Sequence, residues 1–114
     1  MPVSNADVVD CIGVDAATDT VCLSMFEGRD WSEPDAQLRD LERKVNSYIG
    51  FVADGELNEN RDYRGKQIEF ELYCQFILPQ SVAPVFRALR ARLLAQRIGF
   101  RVFIGMDRSC PLSL

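Results

Sequence analysis

The chain has 114 residues, of which 47% are hydrophobic and 26% are charged, a composition that excludes the disordered class and suits one globular domain. We expect a single domain over residues 1–114, with flexible or surface-laid ends at 1–7 and 106–114. No apolar run reaches the roughly 18 residues of a membrane span, and the first residues lack a secretion signal, so we expect a cytoplasmic location without membrane contact.

The charge is divided unevenly along the chain. The formal total is -4, but residues 1–62 hold 14 acidic and 5 basic residues, whereas residues 63–114 hold 3 and 8. The negative total argues against a nucleic-acid partner, because neutralisation of phosphates drives such binding. Four arginines fall in one predicted helix, where their spacing scatters them around its flanks: Arg87, Arg90, Arg92 and Arg97. This spacing favours solvated flanks and pairing with the acidic half over a partner-binding patch.

The residues that most often carry chemistry are scarce. The chain contains no histidine, and its four cysteines form no Cys-x-x-Cys pair. The commonest metal ligand and the commonest general base are therefore missing together. The sequence also lacks a glycine-rich phosphate loop and a nucleophile elbow. We expect no cofactor, no metal and no enzymatic activity.

The chain begins with the pattern of a β-hairpin. Residues 8–14 and 20–26 read as two short strands around a turn-rich segment. If Val14 lies opposite Asp19, Cys11 lies opposite Cys22, so the two thiols become cross-strand neighbours. Such a pair is either two small, semi-buried residues or a redox switch.

Asp10 is the one candidate for a functional carboxylate. It shares the inward phase of the first strand, and a carboxylate directed at a core must be paired or must shift its pKa. An arginine of the second helix, or a place at the start of the strand, would explain it equally well.

The segment after the hairpin predicts a first helix over residues 33–54. Ser32 can cap it, Pro34 suits its first turn and Gly55 can end it. Apolar residues follow at helical spacing. One flank of this stripe is either a contact for the second helix or part of a surface patch: Lys44, Tyr48 and Phe51.

A third strand is predicted over residues 66–78, and within it residues 67–76 alternate polar and apolar without a fault. The inward positions are Ile68, Phe70, Leu72, Cys74 and Phe76. The outward positions are Gln67, Glu69, Glu71, Tyr73 and Gln75. Such a strand has one buried and one open face.

The last elements are a second helix that opens after residues 79–81 and a fourth strand over residues 100–105. Gly99 resembles a left-handed cap between them. The order ββαβαβ predicts an α+β fold, in which a four-stranded mixed sheet carries both helices on one face. The order of the strands is not fixed by this argument.

Several short motifs resemble a family of short bacterial proteins of unknown function. They are Ile12-Gly-Val-Asp15, Asp30-Trp31, Lys44-Val-Asn-Ser-Tyr-Ile-Gly-Phe51 with Gly55 and Leu57, and Gly65-Lys66. The resemblance spans roughly residues 8 to 104 and implies the same order of elements. It implies no catalytic residue.

The sequence favours a non-enzymatic protein-interaction module that uses the open sheet face. That face comprises Phe26, Glu69, Glu71, Tyr73, Gln75, Arg101 and Phe103. Aromatic and arginine anchors among polar groups suit recognition of another protein or self-association as a homodimer.

Two alternatives stay open. The acidic first half and small size are typical of an immunity-type inhibitor that neutralises a basic toxin. A small enzyme or ligand carrier could instead use Asp10 or a pocket between helices and sheet.

Overall fold

The computed structural model describes residues 11–105 and 111–112, apart from the side chain of Glu56. Asp10 and the predicted ends at 1–7 and 106–114, except for residues 111–112, lie outside the described residues. Six main elements follow in the order β1 Cys11–Asp15, β2 Thr20–Glu27, α1 Pro34–Ala53, β3 Gln67–Cys74, α2 Ala83–Leu94 and β4 Ile98–Ile104. Short 3-10 helices cover Glu56–Glu59 and Gln80–Val82. The predicted α+β order ββαβαβ is confirmed.

The four strands form one mixed sheet in the order β1-β2-β3-β4. β1 is antiparallel to β2, whereas β2, β3 and β4 run parallel to one another. The carboxyl ends of the three parallel strands therefore meet at one edge of the sheet, which we call the carboxyl edge. The opposite, amino edge holds the start of β4, where Ile98 pairs with Ile68.

Both helices cover the same face of the sheet, where the apolar phases of the strands meet the apolar stripes of the helices. The core contains Val21, Leu23, Met25, Leu41, Val45, Tyr48, Phe70, Leu72, Phe86, Leu89, Leu93, Phe100 and Val102. Within the described residues, no helix has the length and apolar character needed to cross a bilayer.

Lys44 and Tyr48 are not part of a surface patch, because both side chains are fully buried. The Tyr48 hydroxyl donates a hydrogen bond to the Ser24 carbonyl oxygen at 2.8 Å, and its ring meets Phe70 edge-on. The Lys44 Nζ lies 5.5 Å from the centroid of the Tyr48 ring. This flank of α1 therefore packs on the sheet.

The predicted register of the hairpin is wrong. Cys11 pairs with Ser24 and Cys22 pairs with Gly13, so the two thiols are not direct cross-strand neighbours. The observed register places Val14 opposite Val21, which puts both apolar residues on the core face. The turn has four residues in either register, but the observed one moves it one residue along the chain, from 15–18 to 16–19, so that Val14 pairs with Val21 and not with Asp19.

Two predicted helix ends are also wrong. Glu33, not Ser32, occupies the N-cap of α1, and its side chain makes no capping hydrogen bond. Ser32 lies one residue earlier, where its backbone N–H donates to the Asp30 Oδ1 at 3.2 Å. Gly99 lies within β4, since α2 ends at Leu94. Arg97, not a glycine, takes the left-handed conformation in the turn between them, with φ 63°.

Candidate interaction surfaces

Three aromatic rings form a row across the sheet, on the face opposite the helices. Phe26 of β2, Tyr73 of β3 and Phe103 of β4 occupy the same register position. The Phe26 and Tyr73 ring centroids lie 5.5 Å apart and those of Tyr73 and Phe103 5.1 Å apart, with nearly parallel planes. The outward phase of the sequence thus places these predicted site residues together.

A polar row lies beside the aromatic one. The Arg101 Nε donates to the Glu69 Oε1 at 2.6 Å, and its Nη2 donates to the Glu71 Oε2 at 3.3 Å. The Tyr73 hydroxyl donates to the Glu71 Oε1 at 2.9 Å. The Arg101 guanidinium also lies 5.5 Å from the centroid of the Phe103 ring. Arg101 therefore links both carboxyl groups to the aromatic row.

The polar row holds carboxyl groups close together in a largely water-excluded position. Burial raises the pKa of Glu69, and its hydrogen bond with Glu71 raises that pKa further, while Arg101 opposes both effects. The Cys22 thiol and these two carboxyl groups lie within 4.8 Å of one another and could supply three metal ligands. Arg101 already offsets their charge, so the cluster suits an internal ion pair, and the absence of a metal stays a prediction.

The expectation of an open face is wrong for the centres of these rows. Phe103 is fully buried, Glu71 is 1% exposed and Tyr73 is 7% exposed. Side chains on neighbouring parallel strands cover one another: Tyr73 is stacked from both sides, and Arg101 reaches across Glu71 and Phe103. Alternation in the sequence predicts which face of the sheet a side chain occupies, but not how far its neighbours bury it.

Sequence reasoning missed a buried carboxylate at the carboxyl edge. Glu27 ends β2 and is 3% exposed. The Arg29 Nε and Nη2 donate to its two oxygens at 2.9 Å each, and the Arg29 Nη1 reaches Asp40 of α1 at 3.0 Å. The only sequence signal is the Glu-x-Arg spacing at the end of an apolar strand.

A cavity of about 220 Å³ opens at this edge. It is lined by Phe26, Glu27, Gly28, Tyr73, Cys74, Gln75 and Gly105. Burial raises the pKa of the Cys74 thiol to about 12, and the nearby Glu27 carboxylate adds to the rise. This thiol is therefore a poor nucleophile near neutral pH.

Exposed apolar side chains follow directly after β3. Phe76 is 43% exposed and Ile77 is 78% exposed, so the predicted inward orientation of Phe76 is wrong. β3 ends at Cys74, and Gln75 is exposed in the loop beyond it, so the pleat no longer directs the side chains. A shallow hollow joins this loop to Trp31. We call Trp31, Phe76 and Ile77 the edge patch.

An acidic residue lines the hollow of the edge patch, and two more follow closely in the chain. Asp30 lines the same hollow, and Glu33 and Asp35 follow it in the chain, all three exposed. Hydrogen bonding with Ser32 lowers the pKa of Asp30. We call Asp30, Glu33 and Asp35 the acidic rim.

The architecture defines a class: an α+β protein with a β-hairpin followed by two parallel strand-helix-strand units. Within that class, the chain belongs to a family of unknown function, DUF6572, whose model matches residues 1–105. This confirms the resemblance to a family of unknown function. No curated protein and no solved structure matches the chain.

Proposed function

We propose that this protein is a non-enzymatic protein-interaction module whose docking surface is the edge patch with its acidic rim. The observation that carries the proposal is the exposure of two adjacent large apolar side chains, 43% for Phe76 and 78% for Ile77. Contiguous exposed apolar groups bordered by polar residues are typical of protein-docking sites.

The edge patch replaces the aromatic row as the proposed docking site because accessibility decides between them. Phe103 and Tyr73 stack on each other and are buried, whereas Ile77 still exposes most of its side chain. Trp31 gives the patch a fixed floor, since its ring meets Phe86 of α2 edge-on at 6.1 Å. The acidic rim selects a partner that surrounds an apolar side chain with basic groups.

The acidic rim also favours the immunity-type alternative, in which the partner is a basic toxin. Co-expression with a toxic reading frame beside the gene would separate this case from others: relief of growth arrest that depends on Ile77 supports it. The ligand-carrier alternative is supported by the carboxyl-edge cavity, whose lining comes from the strand ends and not from the helices. Its volume of about 220 Å³ lies below the roughly 300–1,000 Å³ of most small-molecule sites, so we place it second.

The first prediction is that Ile77→Ser prevents capture of the partner. A tagged wild-type protein and the variant are used for affinity capture from the native cell extract at low salt. Loss of a central apolar anchor should weaken binding about tenfold or more, and added salt should weaken binding to the wild type. Bound proteins are quantified by mass spectrometry.

Val14→Ser supplies the matched control, because Val14 is another exposed large apolar residue, 40% exposed, but lies on the hairpin. It should retain the partner. A partner that Ile77→Ser captures as well as the wild type does would contradict the edge patch as the docking surface. Thermal unfolding of both variants verifies that each is folded.

A further inference from the structure

Another exposed apolar residue lies at the far end of α2. Leu94 is the last residue of the helix and is 67% exposed. Arg87 and Arg90 precede it by seven and four residues, so they lie on the same side of the helix. The Arg97 backbone N–H donates to the Leu94 carbonyl oxygen at 2.9 Å, which holds this arginine beside it. We call Leu94 with Arg87, Arg90 and Arg97 the basic helix end.

The three arginines of the basic helix end can interact with a charged partner. All three are exposed, and within residues 11–105 and 111–112 no ion pair involves any of them. The expected pairing with the acidic half is therefore not observed for them. Arg92, on the opposite flank, donates to the Asn46 Oδ1 at 2.9 Å instead. The sequence scatters four arginines, but the fold leaves three around one apolar residue.

The basic helix end complements the edge patch in residue composition and in charge. One surface presents an apolar side chain among arginines, and the other presents apolar side chains and a hollow beside three carboxylates. The two surfaces lie at opposite edges of the sheet. The edge patch follows the end of β3, whereas Leu94 precedes the start of β4, which pairs with the start of β3. One molecule therefore cannot bring its own two surfaces together.

We propose that the partner of the edge patch is a second copy of this chain, which inserts its Leu94 into the hollow while its arginines face the acidic rim. This inference rests on the proposed function and names its partner. The contact is head-to-tail, so each pair leaves one edge patch and one basic helix end unoccupied. Such contacts give rings when the rotation closes and open chains when it does not.

The second prediction concerns self-association, measured by sedimentation velocity on the full chain. The wild type should show a mass that rises with protein concentration and falls with added salt. Leu94→Glu places a carboxylate against the acidic rim, and the double variant Phe76→Ser/Ile77→Ser removes the two exposed apolar side chains of the edge patch. Each variant alone should self-associate at least about tenfold more weakly than the wild type.

Mixing the two variants gives the decisive result. The Leu94→Glu protein keeps an intact edge patch, and the Phe76→Ser/Ile77→Ser protein keeps an intact basic helix end, so an equal mixture should form a 1:1 dimer that grows no further. Arg90→Glu should weaken wild-type association, whereas Arg92→Glu, on the other flank of α2, should leave it nearly unchanged.

A wild type that stays monomeric at high concentration and low salt would overturn the inference. So would a Leu94→Glu protein that still dimerises alone, because that result means two edge patches pair with each other. Neither outcome removes the proposed function, which fails only if capture of every partner is independent of Ile77. The two proposals can therefore fail separately.

Discussion

The Glu69 carboxyl group lies where ionisation is costly, half-buried beside a second carboxyl group. Burial and the hydrogen bond with Glu71 raise its pKa above the ordinary value of 4.5. The folded state therefore binds this proton more tightly than the unfolded state does. Because the native protein binds more protons in this range, the contribution to stability is complete below about pH 4.5 and is lost as the pH rises through the raised pKa.

The third prediction follows for Glu69→Gln, which cannot titrate. The free energy of unfolding of the wild type, minus that of Glu69→Gln, should decrease as the pH rises from about 4.5 to 7. Urea unfolding at several pH values measures both proteins. Glu59→Gln, at an exposed carboxylate, controls for the loss of one negative charge. A difference that stays constant or grows with pH for Glu69→Gln would show that the folded state does not hold this proton more tightly.

At the scale of single residues, the sequence predicts well which face of the sheet a side chain occupies and predicts poorly which side chains it contacts. Glu69, Glu71 and Arg101 were expected on one face, and their alternation puts them there. The burial of Glu71 depends on Tyr73 and Arg101, which reach it only after strand pairing is settled. The burial of Glu27 follows no periodic pattern, because its charge is compensated by Arg29, which lies in a bend beyond the strand.

At the scale of elements, the turn from α2 to β4 carries local strain. Arg97 has φ 63°, a conformation that side chains with a Cβ seldom adopt and that glycine adopts freely. The chain turns here because the last turn of α2 closes with hydrogen bonds from Gln96 and Arg97 to Leu93 and Leu94. The left-handed conformation then directs Ile98 into pairing with β3.

The fourth prediction is that Arg97→Gly stabilises the fold. Removal of the Cβ relieves the left-handed strain, and we expect a gain of about 0.5–1 kcal/mol in the free energy of unfolding after the extra entropy of glycine is offset. Urea unfolding at a low protein concentration avoids effects on self-association. Arg92→Gly, inside α2, should instead lose about 1 kcal/mol. A loss of similar size in both variants would contradict the account.

The elements themselves could be predicted because apolar residues recur at regular strand or helix spacing along the chain. Four alternating or apolar runs became four strands, and two apolar stripes became two helices on one face. Their limits could not be predicted equally well. Alternation continues to Phe76, but pairing stops at Cys74. The hairpin register depends on which four residues form the turn, 15–18 or 16–19, and composition does not decide this.

At the scale of the whole molecule, the fold places the acidic rim and the basic helix end at opposite edges of the sheet. The acidic half supplies the connection from β2 to α1 at the carboxyl edge, and the basic half supplies α2, whose last turn lies towards the amino edge. A net charge of -4 conceals this separation. A polarised surface of this kind orients charged partners during encounter, whether a second copy or another protein.

Arg29 ties the carboxyl edge together and gives the fifth prediction. Its guanidinium bridges Glu27 at the end of β2 and Asp40 in α1, and the hydrogen bonds with Glu27 are the main cause of its raised pKa. Arg29→Met leaves the Glu27 carboxylate buried without its cation. Breaking a buried pair costs about 3–5 kcal/mol, and because the Arg29 side chain is 39% exposed we expect about 2–3 kcal/mol here.

The double variant Glu27→Gln/Arg29→Met separates the ion pair from simple packing. If the cost of Arg29→Met comes from a stranded carboxylate, removing that charge should recover a large part of the lost stability, because an uncharged side chain tolerates burial better. Asp40→Asn, which keeps the shape of the second carboxylate, should cost less than Arg29→Met, since Asp40 is 25% exposed and water can replace its partner. Urea unfolding of the three proteins and the wild type at one pH gives all the differences. Equal losses in the single and double variants would mean that Arg29 holds β2 to α1 through its aliphatic stem and not through its charge.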